Sequence, residues 1–369
     1  MVSRDSHVSE SDRLFLLAAT ELAERGRYTT SPNPCVGCLI MREGHVIGRG
    51  WHQWAGQGHA EANAIKDAGG DVRGATVYVS LEPCSFEGRT PSCAQTLIDQ
   101  GVARVVVAMI DPHPKNSGRG IEVLREAGIR VEVLELPEAL ALNPGLAARR
   151  RRAKPWVRVK VGASLDGRTA MASGESQWIT GRDAREDVQH WRARSCAVVT
   201  GVGTILADNP RLSVRGGRFA ARRRIRQPLR VVLDSRLRTP ADAALFDEPG
   251  DVLLVHTGEA AEHPRAETIS CGEGRVDLHA LLEVLLQRDC GELMVEAGST
   301  LTGAFLESGL WDELILFVAP RLLGGSARAM ADIDFERLGE TIGGTIADVQ
   351  AIGEDLRIII TASNERNDT

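Results

Sequence analysis

Aromatic side chains are scarce in this 369-residue chain, which holds two tyrosines, six tryptophans and seven phenylalanines. A basic excess is missing too, since 50 acidic against 44 basic residues leave a formal charge of −6 with both signs interspersed. These absences remove the footprint of a general nucleic-acid binder and argue against a polymer substrate. No run approaches the ~18 apolar residues of a membrane span, and Met1-Val2-Ser3-Arg4-Asp5-Ser6-His7 carries no apolar core of a secretory signal. The seven cysteines are odd in number and do not read as a disulfide framework. The expectation is a soluble, cytoplasmic protein with a small-molecule substrate, no nucleic-acid partner and no membrane association. Its length exceeds the ~250–300 residues at which a single core stops growing, so two domains are expected.

What the chain does contain is a metal tripod written in sequence. His59-Ala60-Glu61 is followed by Leu81-Glu82-Pro83-Cys84 and then by Cys93. One imidazole and two thiolates suit zinc, and a catalytic zinc keeps three protein ligands and leaves its fourth position to water. Glu61, two residues beyond the histidine, is placed to move protons without ligating the metal. The arrangement follows the zinc nucleobase deaminase signature, H-x-E then P-C-x-x-C. The match is partial, because eight residues rather than two separate Cys84 from Cys93. Three residues that merely pack in a core are the plain alternative. A structural zinc fits less well, because such sites close all four positions with Cys or His. Cys35 and Cys38 form a C-x-x-C pair of their own, but Val36–Ile40 reads as a buried strand and assigns Cys38 to the core.

Along the chain, Leu14, Leu17, Ala18 and Leu22 recur at helical spacing within Ser11–Arg25. Strands are expected at Val36–Ile40, His45–Gly50 and Thr76–Ser80, within the apolar run Val102–Met109, and at Arg130–Leu134. Helices are expected from about Ala60, over Ser92–Gln100 and around Ile121–Ala127. This alternation indicates a layered α/β sheet, with both halves of the metal motif at helix starts that follow strands. The stretch Asn143-Pro144-Gly145, with Arg149–Arg152 and Lys154-Pro155, reads as a helix-breaking junction, giving domains 1–148 and 149–369. A second alternation follows: strands Trp156–Val161, Ala197–Gly201, Leu229–Leu233, Asp251–His256, Glu292–Glu296, Glu313–Val318 and Leu356–Thr361, with helices Arg182–Arg194, Leu278–Gln287 and Leu301–Ser308.

Two phosphate-loop patterns in the second half fail as standard fingerprints. Gly201-Val202-Gly203 has Leu206 in place of the third glycine, and Asp208-Asn209-Pro210 blocks a regular helix. Gly298-Ser299-Thr300-Leu301-Thr302-Gly303 has P-loop spacing, but Ala304 replaces the lysine that ATP chemistry requires. A glycine turn opening a helix still offers free N–H groups to an anion such as a dinucleotide pyrophosphate.

Thr30-Ser31-Pro32-Asn33-Pro34, His59-Ala60-Glu61, Leu81–Ser85 and Gly88-Arg89-Thr90-Pro91 in the first half stand beside Gly162–Thr180, Thr204–Pro210, Asp234-Ser235 and Val295–Gly298 in the second. With these motifs the chain resembles, over nearly its whole length, the RibD family of fused pyrimidine deaminase–reductases of riboflavin biosynthesis. The resemblance implies a cytidine-deaminase-like three-layer α/β/α domain followed by a dihydrofolate-reductase-like α/β domain. It implies zinc on His59, Cys84 and Cys93, with Glu61 as proton carrier, deaminating 2,5-diamino-6-ribosylamino-4(3H)-pyrimidinone 5′-phosphate, and Asn33 and Arg89 binding that ribotide. It implies NADPH reducing the ribosyl group to ribityl, with Gly162, Trp178, Thr204, Asp208, Ser235 and the turn Gly298, Ser299, Thr300, Leu301, Thr302, Gly303 and Ala304 against the cofactor. Ser176, Arg192, Leu212, Arg215 and Glu296 would meet the second substrate, and a homo-oligomer is expected.

The chain departs from the family pattern at Phe86-Glu87, where histidines are usual, at Ala62-Asn63, which replaces a larger pair, and at Ser92, which replaces proline. Phe86 removes a donor from the pyrimidine pocket and Glu87 adds negative charge near a phosphate. Two other readings therefore stay open: a paralogue with an altered deaminase substrate, and a working reductase joined to a structural zinc domain.

Overall fold

In this computed structural model, residues 9–86, 92–220, 224–259 and 261–363 are described. The chain divides into two compact units, the first ending at Ala153 and the second beginning at Lys154. The border expected at 148/149 falls inside a helix. Pro144 does not break that helix but occupies its first turn, where the missing N–H costs nothing. Asn143 anchors the helix start by accepting from Cys35 N at 2.8 Å and donating to Cys35 O at 2.9 Å.

The first unit holds strands β1 (Gly37–Arg42), β2 (His45–Trp51), β3 (Thr76–Val79), β4 (Arg104–Val107) and β5 (Arg130–Val133) in the order β2-β1-β3-β4-β5. β1 runs antiparallel to β2 and β3, while β3, β4 and β5 are parallel. Its helices are α1 (Glu10–Ala23), α2 (Ala60–Asp67), α3 (Cys93–Asp99), α4 (Arg119–Glu126), α5 (Pro137–Leu142) and α6 (Pro144–Arg152). Successive strand residues face opposite sides. Cys38 and Ile40 therefore join Ala60, Ala64, Leu97 and Leu124 from α2, α3 and α4, while Leu39 and Met41 join Leu16, Ala19 and Ala139 from α1 and α5. This is the expected three-layer sandwich. Close approach places α2 on the sheet, because a Cβ on Gly50 would lie 2.2 Å from Ala60 O and 2.3 Å from Ala64 N.

The second unit has one sheet of nine strands. β6 (Trp156–Ser164), β8 (Ala197–Gly201), β9 (Leu229–Leu233), β10 (Val252–His256), β11 (Glu267–Ser270), β12 (Glu292–Glu296), β13 (Glu313–Ala319), β15 (Gly344–Ile352) and β16 (Asp355–Ala362) are ordered β11-β10-β9-β8-β12-β6-β13-β16-β15. The seven strands from β11 to β13 in that order are parallel, and β16 and β15 complete the sheet antiparallel. β7 (Arg168–Ala170) pairs separately with β14 (Arg328–Ala329). Helices α7 (Arg182–Arg194) and α8 (Val202–Asp208) cover one face, and α9 (Leu278–Gln287) and α10 (Ser299–Glu307) the other. The sequence expectation missed β7, β11, β14, β15, α5 and α6. It also held that Asp208-Asn209-Pro210 prevents a helix, whereas α8 forms and Asn209 ends it in the left-handed region at φ 41°.

Buried charge ties the first unit together. Ser9 and Asp12 form a capping box at α1, and Asp12, 4 % exposed, also accepts from Tyr78 Oη at 2.7 Å and from Arg104 at 2.7 and 3.0 Å. The Arg104 guanidinium holds the Asp12 carboxyl well below the usual carboxylate range, against the opposing effect of burial. A depressed folded pKa adds stability that is complete above the unfolded value, about 3.9, and is lost as pH falls through the folded value. Asp12→Asn is therefore expected to cost about 3 kcal/mol of unfolding free energy at pH 7, measured by denaturant titration. The deficit relative to the parent protein should narrow below about pH 4. A deficit of constant size from pH 7 to pH 3 would show that the charge of Asp12 is not what stabilises the unit.

Candidate metal and cofactor sites

His59 is the N-cap of α2, with extended backbone at φ −71° and ψ 170°, so its ring lies beside the helix start while Glu61 sits in the first turn. Cys84 follows β3 on a loop, and Cys93 is the first residue of α3. Ser92, the residue that departs from proline, joins these two elements. Its Oγ donates to Cys84 O at 2.8 Å and accepts from Gln95 N at 3.3 Å. Cys93 N donates to Cys84 Sγ at 3.2 Å. His59 Nδ1 lies 3.1 Å from Cys93 Sγ and 3.7 Å from Cys84 Sγ, and the three donor atoms all fall within 4.8 Å of one another. These separations suit a tetrahedral metal with bonds of about 2.0–2.3 Å.

The electrostatics agree with the donor set. A hydrogen bond from Cys93, and after it contact with His59, lowers the Cys84 thiol to about 4 despite burial. That leaves one thiolate formed before any metal binds. Glu61 is 3 % exposed, and burial raises its pKa against the attraction of His59. A carboxyl so placed can both hold and release a proton.

Two residues that the sequence reasoning passed over build the loop beneath Cys84. The Glu82 carboxylate accepts from Asp111 N, Gly118 N, Gly120 N and Ile121 N at 2.9–3.3 Å. Asn116, with no exposed surface, accepts from Ser85 N at 2.8 Å and donates to Pro83 O at 3.3 Å. A buried carboxylate inside a cysteine motif was the available signal for Glu82. Asn63, one of the departures, donates to Trp51 O at 2.8 Å and Gly58 O at 3.1 Å and so fixes the turn before His59. Phe86 is exposed and its ring centre lies 6.3 Å from that of His113. Asn33 stands against His52 at 3.2 Å, while Arg89 lies outside the described residues.

In the second unit, Arg192 grips Glu296 through two hydrogen bonds of 2.5 and 2.9 Å and donates to Ser213 O at 3.2 Å. Burial pushes Glu296 up, but Arg192, ahead of Lys160 and Arg215, reverses the shift and holds it below the usual range. Lys160, not foreseen from the sequence, completes the cluster, and burial lowers its ammonium against the pull of Glu296. A Cβ on Gly162 would lie 3.8 Å from Lys160 Nζ, so Gly162 borders this cluster. Arg215 donates to Ser213 O at 3.2 Å. Ser176 Oγ donates to Asp208 at 3.1 Å, joining a residue expected at the substrate to one expected at the cofactor. Trp178 is exposed, with Arg185 4.4 Å from its ring centre and Arg321 donating to its carbonyl at 3.2 Å.

Several of the expected contact residues have side chains packed into the protein. Leu212 buries its side chain in the core, leaving only its backbone, at φ 53°, for substrate. Leu301 packs on the core and Thr302 is fully buried. A Cβ on Gly303 would lie 2.6 Å from Asp332 O, so that glycine serves packing. Ala304 accepts from Ser308 within α10. Gly298, Ser299 and Thr300 are left at the helix start, and open space surrounds Gly298. Thr204 is half-buried on α8, and Ser235 accepts from Thr257 Oγ1 at 3.2 Å through its carbonyl. Thr200 Oγ1 and Asp234 Oδ1, at the carboxyl ends of the neighbouring strands β8 and β9, are buried without hydrogen-bond partners. Free helix N–H groups and unpaired polar atoms at the carboxyl ends of parallel strands fit a dinucleotide.

Known proteins agree with this division. Residues 9–109 match the family described as the cytidine and deoxycytidylate deaminase zinc-binding region, and residues 155–358 match the RibD C-terminal domain. The riboflavin biosynthesis protein RibD of Escherichia coli is 44% identical over 94% of this chain and 98% of its own length. That of Haemophilus influenzae is 41% identical over 96% and 98%. Among solved structures, Acinetobacter baumannii RibD superposes with a TM-score of 0.91 at 43% identity, covering 96% of this chain and 99% of that one. The diaminohydroxyphosphoribosylaminopyrimidine deaminase/5-amino-6-(5-phosphoribosylamino)uracil reductase of Thermotoga maritima gives 0.86 at 30% identity, covering 95% and 99%. The chain thus belongs to the RibD family of riboflavin-biosynthesis enzymes, in which a zinc-binding deaminase domain is joined to an NADPH-dependent reductase domain.

Proposed function

We propose that the first unit removes ammonia from 2,5-diamino-6-ribosylamino-4(3H)-pyrimidinone 5′-phosphate and that the second reduces the ribosyl group of the product to ribityl, giving 5-amino-6-ribitylamino-uracil 5′-phosphate. The observation that carries the reading is the meeting of His59, Cys84 and Cys93 within 4.8 Å beside the buried Glu61. Zinc on those three residues supplies the Lewis acidity that makes water nucleophilic near neutral pH. Glu61, raised by burial, takes the proton of the attacking water and returns it to the departing amine. Asn33 orients the pyrimidine and Arg89 receives the 5′-phosphate.

In the second unit NADPH supplies the hydride. Opening the ribose leaves its ring oxygen in need of a proton, and Lys160, whose ammonium burial makes readier to deprotonate, stands beside Glu296 to give one. Arg192 keeps Glu296 anionic and oriented toward the sugar hydroxyls. Ser176, Arg215 and the Leu212 backbone complete the substrate contacts. Gly298, Ser299 and Thr300, with Trp178, Thr204, Asp208 and Ser235, hold the dinucleotide. No helix among the described residues is long and apolar enough to cross a membrane. The free cysteines suit a reducing cytoplasm. A homo-oligomer is supported by the exposed strand β15 at the sheet edge, which displays Ile346 and Val349.

Purified enzyme given the ribotide should release one ammonia per substrate, and NADPH absorbance should fall only after that release; ammonia-free turnover of NADPH on the same ribotide would refute the order. Glu61→Gln should cut ammonia release by about 10²-fold or more, while NADPH oxidation on the supplied deaminated intermediate continues. His59→Ala, Cys84→Ser and Cys93→Ser should each lower zinc, by elemental analysis, from about one per chain. Unchanged zinc in all three variants rules out the tripod. Glu296→Ala, which leaves Arg192 unpaired, should slow reduction by about 10²-fold with ammonia release intact. Equal loss of both activities would show that the two sites are not independent.

A further inference from the structure

His52 is 2 % exposed and belongs to no role described so far. It directly follows β2, its backbone N–H donates to Val36 O at 2.9 Å, and its ring meets that of His59 edge-on with centres 5.6 Å apart. The ring has two polar neighbours, Gly58 O at 3.1 Å from Nδ1 and Asn33 Nδ2 at 3.2 Å from Nε2.

These two contacts fix each other. In a neutral imidazole one nitrogen donates and the other accepts; a carbonyl oxygen only accepts, so Nδ1 carries the proton, Nε2 accepts, and the Asn33 atom facing it is the NH₂ group. The alternative amide orientation would set Oδ1 against that lone pair. With its nitrogen committed to His52, Asn33 turns Oδ1 away from the imidazole, where no hydrogen bond among the described residues occupies it. Gly58 O, which sets the tautomer, is itself held by Asn63 at 3.1 Å, one turn into the helix that carries Glu61.

We propose that His52 is a positioning residue of the deaminase site: through Gly58 and Asn33 it makes Oδ1 of Asn33 an obligatory acceptor beside the metal ligands. The inference rests on the deaminase reading of the first unit and deepens it. The substrate must then present an N–H or O–H donor at that point, and a pyrimidine offering a lone pair there is rejected. Donor complementarity of this kind discriminates more strongly than shape, because a mismatch leaves a buried acceptor unpaired.

The test uses the full-length, zinc-loaded enzyme. Nitrogen-15 spectra of the histidine rings should show His52 as the Nδ1–H tautomer, and an Nε2–H tautomer overturns the proposal without any variant. His52→Ala should raise KM for the ribotide about tenfold with zinc content unchanged. His52→Gln, whose amide oxygen can accept from Asn33, should recover most of that loss. The decisive comparison is the double variant His52→Ala/Asn33→Ala, expected to be no worse than Asn33→Ala alone because His52 acts only through that amide. Losses that multiply in the double variant, or zinc that disappears in both His52 variants, overturn the proposal. A parent enzyme that binds zinc but releases no ammonia sinks the deaminase reading instead, and the ring tautomer separates the two failures.

Discussion

Two sulfurs and an imidazole must be held within a few ångströms of one another before the metal arrives, and the architecture of the first unit follows from that constraint. Side chains alone do not fix it, because single bonds leave them free to turn apart. Backbone does it instead. Cys93 N donates to Cys84 Sγ, Ser92 ties the Cys84 carbonyl to the start of α3, and Glu82 and Asn116 clamp the chain on either side of Cys84 against the 111–121 loop. His59 reaches the same point because Gly50 lets α2 lie directly on β2. Both helices present N-termini to the site, where the macrodipole favours negative charge. The lowered Cys84 thiol follows from the hydrogen bond of Cys93 and then from contact with His59.

The parts of this arrangement that obey short-range rules were readable from the chain. H-A-E at a helix start and P-C before a loop follow from local chemistry, and His59, Cys84 and Cys93, read from those motifs, meet in space. The three-layer order was also readable, because Val105–Val107 and Cys38–Ile40 are too apolar for anything but covered strands. What escaped depends on distant partners. β15 is exposed along nearly all its length and owes its existence to pairing with β16 rather than to an alternating pattern. Lys160 reads as an ordinary lysine inside a strand until Glu296 arrives from the neighbouring β12. Asn63 looked like a departure from the family pattern, and its two carbonyl partners show that it stabilises the turn before His59.

The departures leave the cluster of His59, Cys84 and Cys93 in place. Ser92 does the work of a helix start and adds a bond to Cys84 that proline could not donate. Phe86 stands near the ring of His113, which comes from the 111–121 segment, with the ring centres 6.3 Å apart. His113 Nδ1 accepts from Lys115 N at 3.2 Å, which leaves the proton on Nε2. A hydrogen-bond donor is thereby retained close to Phe86.

Each unit has a glutamate at its candidate site, and the surroundings shift the two carboxyls in opposite directions. Among the described residues Glu61 has no arginine partner, so burial dominates and its pKa rises, as a proton carrier requires. Glu296 is half-buried, and the bidentate grip of Arg192, with the nearby Lys160, outweighs its desolvation and holds its pKa below the usual range. A fixed anion cannot act as the acid in reduction; it can only orient, and it steadies the charge of the lysine beside it. In the proposed reduction, proton delivery then falls to Lys160, whose own pKa burial pulls downward. The same residue type thus serves proton transfer in one half and positioning in the other, and the difference lies in whether a guanidinium is within hydrogen-bond reach.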